Sequence, residues 1–339
     1  MADADEAGDR RWLDAAARLA GRGVPLSRPN PSVGAIIVRQ GVVVGRGWTM
    51  AGGRPHAEAV ALEQAGEAAQ GATLYVSLEP CAHTSPRGPA CADLVAGAGL
   101  ARVVIGCPDP DPRTAGIGAE RIRSAGIEVL LPGSAACEAS LSGYFAVRQL
   151  GRPHVTLKLA LSQDGALARP PGGDQWLTGE VARSHVHAMR AKMDAILVGS
   201  GTLQADNPKL DVRLPGIADR SPERWLLTSG EAPDGWKAVA SPQDISALLP
   251  AQYLMVEGGA QTARAFLAAE LVDRMLLYRA PISITGDVPR LPELTAAALD
   301  GSSVWHKADS RPLGSDTLDV YEALPCSPES SPPSAPSAK

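Results

Sequence analysis

Short apolar runs alternate with helical stretches along most of the chain, and this alternation occurs twice. In the first series, apolar residues from Arg11 to Leu19 have helical spacing. The turn cluster Arg28-Pro29-Asn30-Pro31-Ser32 follows, then strands at Val33 to Val38 and Val42 to Trp48, joined by Arg39-Gln40-Gly41. A helix is expected from His56 to Ala65, a strand from Thr73 to Leu78 and a helix starting near Cys91. A strand from Arg102 to Gly106, a helix around Gly118 to Ala125 and a strand from Ile127 to Leu131 complete the series. The break at Arg148 to Pro153 ends it. Val155 to Leu161 then alternates with period two and opens the second series. Further strands are expected at Ala195 to Val198, Trp225 to Thr228, Tyr253 to Val256 and Arg274 to Tyr278. Strands separated by helices predict an α/β fold with mainly parallel sheets covered on both faces. A length of 339 residues suits two domains, placed at 1–150 and 151–326. The Ser/Pro/Ala-rich tail, 327–339, is expected to be disordered.

Composition narrows the function. The chain has 35 Gly and 29 Pro without a collagen period, which reads as many turns. No apolar stretch reaches the ~18 residues of a membrane span. The acidic, Ala-rich start lacks the basic and apolar regions of a secretory signal. Five cysteines are few and odd in number, so a reducing cytoplasm with free or metal-bound thiols is expected. A net charge of −5 with 4% aromatic residues opposes nucleic-acid binding. The expected partner is a small molecule, with further copies of the same chain forming a homo-oligomer.

The first half carries a metal-site pattern. His56-Ala57-Glu58 is followed, 22 residues after Glu58, by Pro80-Cys81, and Cys91 comes ten positions after Cys81. One imidazole and two thiolates give Zn²⁺ three protein ligands and leave a fourth position for water, the pattern of a catalytic site. Zinc lowers the pKa of such a water toward ~7, producing hydroxide at neutral pH. Glu58 does not share a helix face with His56, so it is free to act as general acid/base instead of a ligand. The set is similar to the His-x-Glu…Pro-Cys signature of zinc deaminases. It departs in having nine residues between the cysteines, where Cys-x-x-Cys is usual. His83, within that loop, is a rival ligand ranked below Cys91. Cys107, Cys137 and Cys326 read as buried or incidental thiols.

The second half lacks a Gly-x-Gly-x-x-Gly fingerprint. Gly199-Ser200-Gly201-Thr202 follows a strand, with Thr202 available as an N-cap, and Glu257-Gly258-Gly259-Ala260-Gln261-Thr262 lies between a strand and a helix. Both loops are able to present backbone N–H groups to phosphate, and either alone is equally a tight turn.

Several segments resemble the bifunctional riboflavin-biosynthesis deaminase/reductase family. In the first half these are Pro29-Asn30-Pro31-Ser32-Val33-Gly34-Ala35, Pro55-His56-Ala57-Glu58 and Leu78-Glu79-Pro80-Cys81-Ala82-His83-Thr84. In the second half they are Leu157-Lys158-Leu159-Ala160, Asp164-Gly165, Gln175-Trp176-Leu177-Thr178, Asp206-Asn207-Pro208, Leu210 with Arg213, and Glu257-Gly258-Gly259. The resemblance spans roughly residues 11 to 325 in family order, and that family normally has the long loop between the cysteines. It implies a cytidine-deaminase-like three-layer α/β domain followed by a dihydrofolate-reductase-like α/β domain. It also implies zinc-dependent deamination of 2,5-diamino-6-ribosylamino-4(3H)-pyrimidinone 5′-phosphate, then NADPH reduction of its ribosyl group to ribityl.

Carried over by position, Ala160, Trp176, Thr202, Asp206, Ser229, Gly259, Ala260, Gln261 and Thr262 would contact NADPH. Asn30 would hold the pyrimidine, and Asp174, Arg190, Leu210, Arg213 and Glu257 would contact substrate. Lys158 lies on the strand face opposite the leucines, suited either to the sugar phosphate or to solvent. Trp176 suits either stacking on cofactor or core packing, and Asn30 either substrate or turn. Arg190 and Arg213 are apt for phosphate because guanidinium forks bind it bidentately. Departures are Gln163 where Leu is frequent, Thr228-Ser229 where Asp-Ser is common, and a short Arg213 to Arg224 stretch.

Two other classes compete. A zinc deaminase acting on a nucleic-acid base would need a basic, aromatic surface, which the composition opposes. A structural zinc protein would favour four protein ligands.

Overall fold

The computed structural model describes residues 2–170 and 176–324. Asp174, Cys326 and the Ser/Pro/Ala-rich tail lie outside them. The chain divides into two compact units. The first takes in the chain up to His154 with Ala191–Ala195 and Ile245–Leu254; the second takes in Val155–Arg190, Ile196–Asp244 and the chain from Met255 on. Among the described residues no helix is long and apolar enough to cross a membrane.

The first unit is built on strands β1 (Gly34–Arg39), β2 (Val42–Trp48), β3 (Thr73–Val76), β4 (Arg102–Ile105) and β5 (Glu128–Leu130), ordered β2-β1-β3-β4-β5. Its helices are α1 (Ala2–Ala20), α2 (Ala57–Ala65), α3 (Cys91–Ala96), α4 (Ile117–Ser124), α5 (Ala135–Ser140) and α6 (Ser142–Phe145). Strands β3, β4 and β5 run parallel, but β1 is antiparallel to both neighbours. The expected mainly parallel sheet is therefore mixed. The cause is local: Gln40 and Gly41 both take positive φ, 50° and 79°, and close a two-residue hairpin that reverses the chain. Helix α1 starts well before Arg11, in an Ala/Asp/Glu-rich stretch whose acids favour a helix N-terminus.

Asp9 on α1 is buried and accepts from both Nη atoms of Arg102 (2.8 and 2.7 Å) and from Tyr75 Oη (3.0 Å), which ties α1 to β3 and β4. Helix α2 sits on β2 at backbone distance. A Cβ on Gly45 would overlap the Ala61 carbonyl, and one on Gly47 the Ala57 carbonyl. The helix that carries Glu58 is thus seated where only hydrogen fits.

The second sheet has eight strands: β6 (His154–Leu161), β7 (Ala195–Gly199), β8 (Glu223–Leu227), β9 (Lys237–Val239), β10 (Tyr253–Val256), β11 (Arg274–Arg279), β12 (Trp305–Leu313) and β13 (Asp316–Ala323). Their order is β12-β13-β11-β6-β10-β7-β8-β9. Helices α7 (Glu180–Arg190), α8 (Ser200–Asp206), α9 (Ala260–Ala268) and α10 (Ala296–Leu299) accompany it. Strands β6 and β11 pair in parallel, with Lys158 opposite Leu276 and Ala160 opposite Tyr278. Leu157, Leu159 and Leu161 are buried while Lys158 and Ala160 are half-buried, so the strand's period of two separates core from site. The β12–β13 hairpin is antiparallel and was not expected from the sequence. Most β12 residues are exposed, so no apolar alternation marks it, and pairing with β13 holds it.

Gly47→Ala should lower stability by about 2 kcal/mol, because backbone crowds the new methyl and α2 must shift. Gly8→Ala, in α1 with open space around it, should instead raise stability by about 0.5–1 kcal/mol. Thermal unfolding of the full chain measures both, and a neutral Gly47→Ala would show that α2 is not held by this contact.

Candidate active sites

Two helices of the first unit begin at one place. His56 is the N-cap of α2, Cys91 is the first residue of α3, and Cys81 lies in the loop after β3. His56 Nδ1 is 3.3 Å from Cys91 Sγ and 3.6 Å from Cys81 Sγ. The three ligand atoms lie within 4.8 Å of one another, and no other group of three His, Cys, Asp or Glu is so placed among the described residues. These separations suit a tetrahedral ion with Zn–S near ~2.3 Å and Zn–N near ~2.0 Å. His83 stays outside the cluster, its Nδ1 buried without a hydrogen-bond partner.

Cys81 accepts the Cys91 backbone N–H at 3.3 Å. Its pKa falls far below the usual thiol value, chiefly through the Cys91 thiol hydrogen bond and further through His56. The Cys91 thiol is pushed up by that same bond and by burial. The shared bond thus favours ionisation at Cys81 over Cys91, and a divalent cation would need both thiols deprotonated.

Glu58, in the first turn of α2, is 3% exposed, and its Oε2 has no hydrogen-bond partner. Burial raises its pKa, with Cys81 adding to the rise and His56 opposing it. Burial thus favours the protonated carboxyl here more than in an exposed glutamate. Asn30 Nδ2 donates to the Gly53 carbonyl at 2.9 Å and lies 3.0 Å from His56 Nε2, at the edge of the imidazole away from the sulfurs. Gly53 has φ of 82°, and a Cβ there would overlap the Asn30 side chain.

Sequence reasoning gave Glu79 no role of its own. Its buried carboxylate accepts backbone N–H groups of Ala119 (2.9 Å), Gly116 (3.1 Å) and Asp109 (3.4 Å), fixing the strand end that leads to Cys81. An acid directly before Pro-Cys was the available signal.

In the second unit, a cleft of about 580 Å³ opens over the sheet. Strand β6 contributes Lys158 and Ala160 to it, and α7 contributes Arg190. Thr202 and Asp206 line it from α8, Leu210 and Arg213 from the loop that follows. Glu257 and Gly259 line it after β10, and Trp176 at its rim is 50% exposed, which excludes core packing. Ser229, Ala260, Gln261 and Thr262 lie outside the lining, with Ser229 and Gln261 exposed. Thr262 is buried against Gly199 and Gly258. Thr202 is not the N-cap it was expected to be. Helix α8 starts three residues earlier with Gly199 as cap, and Thr202 Oγ1 accepts the Gly259 N–H at 3.3 Å, joining the two loops.

Glu257 is the electrostatic centre of this cleft. Arg190 donates to it from Nε (2.7 Å) and Nη2 (2.9 Å), and Lys158 Nζ is 3.5 Å away. Burial alone would raise its pKa, but Lys158 and Arg190 hold it ionised, at about 2. Arg190 Nη1 donates to the Asp211 carbonyl at 3.1 Å, so three of the five guanidinium N–H groups are engaged. Leu210 adopts φ of 55°, a strained backbone for a branched residue, at the cleft wall.

Residues 7–107 match the family described as the cytidine and deoxycytidylate deaminase zinc-binding region. Residues 153–244 and 247–317 match the RibD C-terminal domain. The riboflavin biosynthesis protein RibD of Haemophilus influenzae is 35% identical, over 91% of this chain and 96% of its own length. The chain belongs to the RibD family. RibD of Aquifex aeolicus is 34% identical over 93% of this chain and 98% of its own. The solved structure of Acinetobacter baumannii RibD, form 1, superposes with a TM-score of 0.81 at 32% identity, covering 94% of this chain and 99% of that one. A Thermotoga maritima structure described as a diaminohydroxyphosphoribosylaminopyrimidine deaminase/5-amino-6-(5-phosphoribosylamino)uracil reductase gives 0.80 at 28% identity, covering 93% and 99%. As a RibD protein, this chain is a bifunctional deaminase and reductase of riboflavin biosynthesis, with zinc and NADPH as its cofactors. Its fold is the α/β pairing of a deaminase-like and a RibD reductase domain.

Metal analysis of the purified chain should return about one zinc per chain, held by three protein ligands. Cys91→Ala should lose it and His83→Ala should keep it. The reverse would exchange the two residues' roles.

Proposed function

We propose that residues 1–150 deaminate 2,5-diamino-6-ribosylamino-4(3H)-pyrimidinone 5′-phosphate and residues 151–326 reduce the product with NADPH. His56, Cys81 and Cys91 hold zinc, and bound zinc supplies the acidity that makes water a nucleophile at neutral pH. Glu58 takes a proton from the attacking water and delivers it to the departing amine, so the ring loses ammonia and gains a carbonyl oxygen. Asn30, fixed by Gly53, orients the pyrimidine beside the metal ligands. The observation that carries this half is the buried Glu58 carboxyl, with an oxygen lacking any partner, beside three converging metal-seeking atoms.

In the cleft of the second unit, NADPH supplies a hydride. Trp176, exposed at the rim, offers a stacking face, and Ala160, Asp206 and the joined Thr202–Gly259 loops take the remaining cofactor contacts. Ser229, Ala260 and Gln261 extend that surface, with Thr262 in the same first turn of α9 packed against Gly199 and Gly258. Lys158, held by Glu257, addresses the ribosyl group with Leu210 as an apolar wall, and Asp174 completes the substrate set. Arg213, with its side chain 62% exposed, is the cation best able to fork onto the substrate phosphate. Arg190 keeps Glu257 ionised and has two N–H groups left for that phosphate.

The substrate is a free nucleotide, not a nucleic-acid base. The compartment is the cytoplasm, in keeping with Cys81, Cys91, Cys107 and Cys137 as free thiols. The assembly is a homo-oligomer, which sedimentation velocity decides.

Incubation with the pyrimidine and no NADPH should exchange one amine for a carbonyl; NADPH should then add two hydrogens, both read by mass spectrometry. Glu58→Gln should slow deamination by about 10⁴-fold while zinc content and reduction of the deaminated substrate persist. Loss of both activities in a folded, zinc-loaded variant would refute two separate sites. Arg213→Ala should raise the reductase KM about 10- to 150-fold and leave deamination unchanged. Arg213→Lys should restore only part, because an ammonium lacks the planar fork. An unchanged KM in Arg213→Ala would place the phosphate elsewhere.

A further inference from the structure

His187 was not among the residues singled out in the sequence. It lies on α7, three residues before Arg190, and its ring lines the same cleft. Residues at this spacing share one helix face. His187 Nδ1 is 3.1 Å from the Asp211 carbonyl oxygen and 3.3 Å from the Arg213 backbone nitrogen. Either tautomer can use that edge: a protonated Nδ1 donates to the carbonyl, and a bare one accepts from the Arg213 N–H. The imidazole is thereby pinned to the turn that carries Arg213. Nε2 has no partner among the described residues.

The surroundings of the ring are cationic. Burial and the charges of Arg190 and Arg213 all disfavour its protonated form. Lys209 and Arg183 line the same cleft. Of the carboxylates that line the cleft or adjoin the ring, Glu257 is held by Arg190 and Lys158, Asp211 lies 3.3 Å from Arg213 Nε, and Asp206 lines the cleft from α8. Such a group of donors lacks an anion to complete it. Arg190 has three N–H groups engaged and two left.

We infer that His187 is a phosphate-recognition residue of the reductase, its Nε2–H donating to the substrate's 5′-phosphate beside Arg213. This rests on the phosphate lying at Arg213, as proposed above. A dianion there would offset the repulsion from both guanidinium groups and favour the charged imidazolium, whose hydrogen bond to phosphate is stronger. His187 would then separate phosphorylated from unphosphorylated substrates, a task for which a purely structural histidine has no use.

The test is steady-state reduction by the full-length, zinc-loaded enzyme of 5-amino-6-(5-phosphoribosylamino)uracil and of its dephosphorylated counterpart. His187→Ala should raise KM for the phosphorylated compound by about tenfold and leave KM for the dephosphorylated one within about twofold. His187→Gln, which keeps a donor near the Nε2 position, should recover most of the loss, and His187→Asn should not. Arg213→Ala serves as the control for the subsite. If Arg213→Ala discriminates between the two compounds and His187→Ala does not, His187 has no phosphate role. If neither discriminates, the phosphate position itself is wrong. An equal rise for both compounds in His187→Ala would assign the residue to support of the Asp211–Arg213 turn alone.

Discussion

The convergence of two helix starts on one loop sets the geometry of the deaminase unit. At a helix N-terminus the backbone N–H groups point outward and the axial dipole presents positive charge, which favours a thiolate over a thiol. Cys91 stands at such a start and offers its N–H to Cys81, while His56 caps the neighbouring helix. The Cys91 N–H adds to the hydrogen bond from the Cys91 thiol in favouring a thiolate at Cys81, while the Cys91 thiol itself is pushed up. The rest of the unit serves this convergence. Gly45 and Gly47 let α2 approach β2, Glu79 fixes the strand end before Cys81, and Asp9 locks α1 to the strands behind.

The reductase unit depends on a different device, a buried carboxylate held between two cations. Removing charge from water is costly, and the cost is recovered only with good geometry and satisfied hydrogen bonds. Glu257 meets that condition through a two-bond contact with Arg190 and the nearby Lys158 ammonium. Taking away either cation would leave charge uncompensated in a low-dielectric cleft, so the three residues act as a unit and not as separable binding groups. Arg190 is the clearest case. From sequence it reads as a phosphate fork, yet in the structure its fork is turned toward Glu257.

Much of both sites was legible because metal and phosphate chemistry restricts residue type and order. His56, Glu58 and Cys81 stand out by residue type and order, while Cys91 departs from the usual spacing and is supported by the family resemblance; the strands at Val42–Trp48 and Tyr253–Val256 follow from apolar pattern. What escaped has physical reasons. The β12–β13 hairpin has an exposed first strand, so pairing stabilises it and no apolar period announces it. Antiparallel β1 depends on a Gln40-Gly41 turn whose direction hydrophobicity does not encode. Thr202 missed its expected cap by three positions because Gly199 takes that place, and helix boundaries are set by backbone geometry as much as by composition. His187 and the Lys158–Glu257 contact are visible only once residues 26 and 99 positions apart in sequence meet in space.

The two units also use the same side chain in opposite states. Glu58 and Glu257 are both deeply buried glutamates, and burial alone would neutralise either. Glu58 has only His56 as a favourable charge, and the Cys81 thiolate acts against ionisation, so its pKa is raised. A raised pKa lets this carboxyl hold a proton more readily than an exposed glutamate, which suits the proposed cycle of taking a proton from water and returning it to the amine. Glu257 has two cations against it and stays ionised. An ionised carboxylate cannot donate, but it accepts from Arg190 and lies 3.5 Å from Lys158 Nζ, which lines the same cleft. The division of labour between the halves is therefore written in the charges packed around each glutamate.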